Sequence, residues 1–180
     1  GRLLGPHSLP RVLGRALRRV PLFGALVRLG DRMLWSRTIR ASGVVDAGFY
    51  AAQRGWRSAS DRRAVRDYVA RGCRRGLSLN PLVDELVAGR ELPEPWRVPA
   101  LYAYLVSDRA TVRLHPWWDA MAVRDSSPSS DSAGPLERMW TQGEHAPLEL
   151  QVGLVRATIS LGAFRGLAQA AARRWKQREM

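Results

Sequence analysis

Apolar residues at Leu13, Leu17, Val20, Phe23, Val27 and Leu34 follow one another at steps of three and four, with one longer step. That spacing lays an apolar stripe along a helix. Arg11, Arg15, Arg18, Arg19, Arg28 and Arg32 occupy the rest of its surface. Pro21 has no amide proton and would clash inside a continuous helix, so the pattern predicts two helices, the second starting near Pro21. At the far end, Leu150, Leu154, Leu161, Phe164, Leu167, Ala171 and Trp175 also recur at a helical period. Arg173, Arg174, Lys176 and Arg178 gather in the last turns, where the helix dipole is negative. No stretch shows convincing strand alternation, and no Asn-Gly or Asp-Gly pair marks a hairpin. The expected fold class is all-α.

Between the two stripes a short motif recurs as "SGVVD" (42–46), "NPLVD" (80–84) and "HPWWD" (115–119). Each copy is a polar residue, Gly or Pro, two apolar residues and an aspartate. Asp46, Asp84 and Asp119 stand 38 and 35 residues apart. A second element keeps the cadence: "AVRDYVARG" ends at Gly72, "ALYAYLVSD" carries Ser107, and "PLERMWTQG" ends at Gly143. The Gly or Pro bends the chain, the apolar pair staples the turn, and the Asp caps the amides of the next helix. A unit of this size cannot bury its apolar face alone, so neighbours must stack. The expectation is about three degenerate helix-loop-helix repeats flanked by basic amphipathic helices. Residues 1–40 form the basic amphipathic segment and 41–124 the helical repeat region. Residues 125–134, which open on Asp125 and take in most of the Ser/Pro-rich run "SSPSSDSAGP" (126–135), form a flexible linker. Residues 135–180 hold the last partial repeat and the C-terminal helix.

The stretch "SGVVDAGFYAAQRGW" (42–56), with the aromatic pair Phe49-Tyr50, and "DYVARGCRRGLSLNPLVD" (67–84), with Tyr68, Gly72, Gly76, Pro81 and Asp84, carry a resemblance. "HPWWDAMAV" and "PLERMWTQG" continue it. These segments resemble the degenerate helical repeats found in some bacterial glycosyltransferases and related polysaccharide-synthesis proteins, over about residues 40–143. Two departures are plain: Glu85-Leu86-Val87 and Met121-Ala122 stand where the aromatic pair is expected, and the family's Tyr-Pro-Asp element is missing. The resemblance implies a non-catalytic accessory or scaffold region beside a glycosyltransferase domain or polysaccharide-synthesis machinery, with no cofactor of its own.

Charge narrows the partners. Against 16 acidic residues stand 29 basic ones, all but one arginine, for a net charge of +13. The first 40 residues alone carry nine arginines and one acid. Such a surplus favours phosphate-bearing partners, either an anionic membrane surface or nucleic acid. Arg11, Arg15, Arg18, Arg19, Arg28 and Arg32 are the candidate anionic-surface residues. No run of about 18 uncharged apolar residues exists to span a bilayer. The expected location is cytoplasmic, and two roles stay open for the N-terminal stripe: packing on the domain core, as amphipathic helices most often do, or lying on the inner face of the membrane.

Catalytic constellations are absent from the sequence. There is no Asp-x-Asp pair, phosphate-cradling Gly-rich loop or Gly-x-Ser-x-Gly elbow. His7, His115 and His145 lack metal-ligand spacing, and Cys73 is the only cysteine. His115 reads as a local hydrogen-bonding residue, Trp117-Trp118 as packing, and Asp46, Asp84 and Asp119 as helix caps. No catalytic, cofactor-binding or metal residue is therefore expected. The alternative is a nucleic-acid-binding helix-turn-helix over "AVRDYVARGCRRGLSLNPLVDELVAG" (64–89). Against it, Asp84 and Glu85 stand where a base-reading helix needs Arg, Lys, Asn or Gln.

Overall fold

Three copies of the motif share one local geometry. In each, the first side chain accepts a hydrogen bond from the amide two residues on. Val44 donates to Ser42 Oγ at 3.5 Å, Leu82 to Asn80 Oδ1 at 2.8 Å and Trp117 to His115 Nδ1 at 3.2 Å. The side chain so closes a turn that leaves the chain extended towards the aspartate. The aspartate amide then reaches the next copy: Asp46 donates to the Leu79 carbonyl at 2.8 Å and Asp84 to the Leu114 carbonyl at 2.7 Å. The motifs are thus successive rungs, the first two each tied to the residue just before the following one.

The computed structural model describes residues 21–90, 98–107, 114–118 and 134–178. Helix α1 covers Pro21–Ala41, α2 Ala47–Arg54 and α3 Asp61–Asp67. The last of these passes into a π turn at Tyr68–Gly72 and a 3-10 turn at Cys73–Arg75. Helices α4 (Glu85–Arg90), α5 (Ala100–Val106) and α6 (Pro135–Thr141) follow. Strands β1 (Pro147–Val152) and β2 (Val155–Ser160) then lead into α7 (Leu161–Arg178). Residues 125–133 of the expected linker and Asp119 lie outside the described residues.

The all-α expectation is corrected by β1 and β2, an antiparallel hairpin in which Pro147 pairs with Ser160 and Val152 with Val155. The helical period counted from Leu150 through Leu154 crosses its turn. Leu148 and Leu150 in fact alternate with exposed Glu149 and Gln151, the period of a strand with one covered face. Gly153, at φ +61°, takes the first central position of the two-residue turn, which a type II′ turn reserves for glycine. β1 also continues the rungs. Gln151 donates to the Trp117 carbonyl at 2.8 Å, and Trp118 bridges Leu150.

One apolar cluster runs through the molecule, and equivalent positions of the units feed it. Ala64, Val65 and Tyr68 of the first unit are buried, as are Ala100, Leu101 and Tyr104 of the second. Pro135, Leu136 and Met139 hold the same places in the third. α1 joins through Ile39, fully buried, and through Trp35, whose ring lies 5.9 Å from that of Tyr102.

Gly72 marks a very close approach in this core. A Cβ there would collide with the Tyr50 hydroxyl, and Tyr50 cannot retreat: it is fully buried and donates to Asp67 Oδ2 at 2.7 Å. Gly72→Ala is expected to destabilise the chain by about 2 kcal/mol, as overpacking does, despite alanine's better helix propensity. Tyr50→Phe in the same chain should recover part of that loss. Urea unfolding of the single and double variants checks this, and a neutral Gly72→Ala would refute the contact.

Candidate functional site

Two of the three motif aspartates are placed as helix caps. Asp46 Oδ1 accepts from the Phe49 amide at 2.9 Å, and Asp84 Oδ1 accepts from the amides of Leu86 and Val87 at 2.9 and 3.0 Å. They lie on separate rungs, each turned to its own helix, and form no shared carboxylate site. Among the described residues, no three His, Cys, Asp or Glu side chains converge on a point where a metal ion could bind.

Asp46 has a second partner that its motif does not announce. Its Oδ2 meets Arg165 Nε of α7 at 3.0 Å, while Arg165 Nη1 meets Glu144 at 3.0 Å. The same guanidinium lies 4.8 Å from the centre of the Trp140 ring. Arg165 therefore ties α7 to the first repeat and to the segment after α6. A signal existed: an arginine set among Leu161, Phe164 and Ala168 on one helical face needs a partner for its charge.

Fixed this way, α7 lies across the rungs as a strap, and a groove of about 800 Å³ runs beneath it. Leu77, Val83, Trp117 and Leu150 form its floor, and Phe164, Leu167, Ala168, Ala171 and Trp175 its roof. The gap follows from the sequence "LAQAAARRW". Alanine methyl groups at 168, 171 and 172 fall short of the floor, where longer side chains would fill the space. Leu86, Trp117, Leu167 and Trp175 are all largely exposed along its margins.

Beside the groove sits the most perturbed carboxyl among the described residues. Glu85 is 7% exposed, accepts from Tyr68 Oη at 2.6 Å, and accepts from the Ala100 amide at 2.8 Å. It joins the first unit's tyrosine to the first amide of α5. Burial pushes its carboxyl up to about 7, against the opposing effect of those two hydrogen bonds. Tyr104 makes a related contact, donating to Glu137 at 3.0 Å while accepting from the Leu136 amide at 3.1 Å. Both carboxyls act as ties between units.

Of the candidate anionic-surface arginines, Arg28 is exposed and Arg32 half-buried on α1. Arg11, Arg15, Arg18 and Arg19 lie outside the described residues. Trp118 is buried as packing, whereas Trp117 is 47% exposed and faces the groove. Comparison with protein-family models, with curated proteins and with solved structures gives no match.

Proposed function

We propose that this chain is a non-catalytic repeat module that accompanies a glycosyltransferase of bacterial cell-surface polysaccharide synthesis and holds it at the anionic inner face of the membrane. The observation that carries the docking role is the outward side of α1. Leu29, Met33 and Leu34 are 55%, 66% and 54% exposed there. Arg37 and Arg40 are exposed beside them. At 3.6 residues per turn, Leu29, Met33, Arg37 and Arg40 share one side, opposite Trp35 and Ile39, which pack inward. Leucine and methionine suit the acyl boundary of a bilayer, and arginines suit its phosphates. Among the described residues no helix is long and apolar enough to cross a membrane.

The accessory role draws its support from the motif. Its first two copies share one turn and one tie, an arrangement compatible with stacked units, and the carboxylates of Asp46 and Asp84 are engaged by backbone amides. The DNA-reading alternative fares worse. Residues 78–83, between the end of the α3 turns and α4, are buried. Over its described residues α4 turns Glu85 and Ala88 inward, and Asp84 and Glu85 stand at its start, where phosphates would repel them.

Co-sedimentation with vesicles tests the proposal. The full chain is expected to bind vesicles containing phosphatidylglycerol, to keep part of that binding at moderate salt, and to ignore neutral vesicles. The double variant Leu29→Glu, Met33→Glu should weaken binding by about tenfold or more, since two apolar contacts are replaced by charges that phosphates repel. Binding that the variant leaves unchanged would remove α1 from the role. Salt-sensitive binding to duplex DNA without vesicle binding would install the alternative. Turnover of a nucleotide sugar by the purified chain would end the non-catalytic reading.

A further inference from the structure

We infer that the groove beneath α7 is a binding site for a long-chain carboxylate, a single apolar chain ending in one anionic head. This inference is independent of the docking role above, because the α1 residues that carry that role, Leu29, Met33, Arg37 and Arg40, do not line the groove. Its volume, about 800 Å³, lies within the range of pockets that enclose small ligands. Most of the lining is aliphatic or aromatic, with Gln53, Ser78, His115 and Arg174 the polar residues beside two acids, and the roof's alanines keep the channel open. An apolar chain gains by leaving water there, whereas a polar ligand would find few partners.

The charge at the groove selects the head. Arg174 lines the roof. Two acids also line the wall: Asp84, whose Oδ1 accepts from the amides of Leu86 and Val87, and Glu85, which is buried against Tyr68 and the Ala100 amide. Among the described lining residues the guanidinium is that of Arg174, near the C-terminal end of α7 and away from those acids in the chain. A guanidinium fork matches a carboxylate in two parallel hydrogen bonds, which suits a monoanionic head on a single chain. Trp117 and Trp175 flank the channel, so an occupant would alter their emission.

The test uses the full chain and dansyl-undecanoate, an anionic chain that brightens in apolar surroundings, with dodecanoate and dodecanol as competitors. One-to-one binding is expected, with dodecanoate displacing the probe at least about tenfold better than dodecanol, the factor that loss of one charge-assisted contact gives. Ala171→Trp, at an exposed position of the roof, should fill the channel and lower affinity by about tenfold or more without moving the thermal transition. Arg174→Gln should weaken dodecanoate by about tenfold and leave dodecanol unchanged. Leu29→Glu, Met33→Glu should bind the probe as the native chain does. Absence of probe binding, equal competition by the alcohol, or native affinity in Ala171→Trp would each overturn the assignment.

Discussion

Asn80→Ala is expected to destabilise the protein by about 4 kcal/mol, the largest loss from any single motif residue. Asn80 is fully buried. Its Nδ2 donates to the Val44 carbonyl at 2.7 Å, and its Oδ1 accepts from the Leu82 amide at 2.8 Å. One side chain thereby closes its own turn and joins the second rung to the first. Alanine leaves a carbonyl and an amide without those partners inside the protein, and each such group costs about 1–3 kcal/mol. Ser42→Ala should cost less than about 1 kcal/mol, because Ser42 is half-buried and its bond to Val44 is the longest of the three, at 3.5 Å. Asn80→Asp should be no better than alanine. It keeps an acceptor for Leu82 but turns a carboxylate towards the Val44 carbonyl. Urea unfolding of the three variants measures the ranking, and a thermal scan should show Asn80→Ala falling by roughly 10 °C. A loss at Asn80 no greater than that at Ser42 would mean the rungs are not joined there.

What the sequence shows of this fold follows the range of its interactions. A cap reaches three residues on and the motif turn two, so aspartate and a polar residue at fixed spacing were legible as a recurring unit. The hairpin is hidden in the sequence for a local reason. Its turn is Gly153-Leu154 rather than the commoner Asn-Gly or Asp-Gly, and the step from Leu150 to Leu154 imitates a helix. The strand signal was present in Leu148, Leu150 and Val152, three apolar residues at period two. The groove was not legible. It depends on where α7 lies, and α7 is held by Arg165 on Asp46, a contact between residues 119 apart in the chain. Nothing in local periodicity fixes such a pairing. The alanines that keep the groove open read as ordinary helix formers until the surface beneath them is known.

Glu85 should give the protein a pH dependence of stability opposite to that of a salt-bridged carboxylate. In the folded chain its carboxyl is pushed from the ordinary value near 4.5 to about 7 by burial, with Asp84 adding to the rise. Between those values the folded state holds a proton that the unfolded chain has released. Stability therefore falls as pH rises through that window and is flat, for this group, on either side. The interval corresponds to about 3 kcal/mol. Tyr68 and Cys73, the other titratable groups against it, are themselves raised by burial above their ordinary values and stay protonated throughout the window. Glu85→Gln keeps an acceptor for the Ala100 amide and a polar partner for the Tyr68 hydroxyl, but cannot ionise. Urea unfolding of both chains across pH 4.5 to 8 should show the variant gaining about 3 kcal/mol on the native protein from the acid end to the alkaline end. Glu85→Ala, which strands the Ala100 amide and the Tyr68 hydroxyl, should be the less stable variant at every pH. A constant difference between native and Glu85→Gln across the range would show that Glu85 ionises at the same pH folded and unfolded. In that case the tie between Tyr68 and α5 would be an ordinary carboxylate contact.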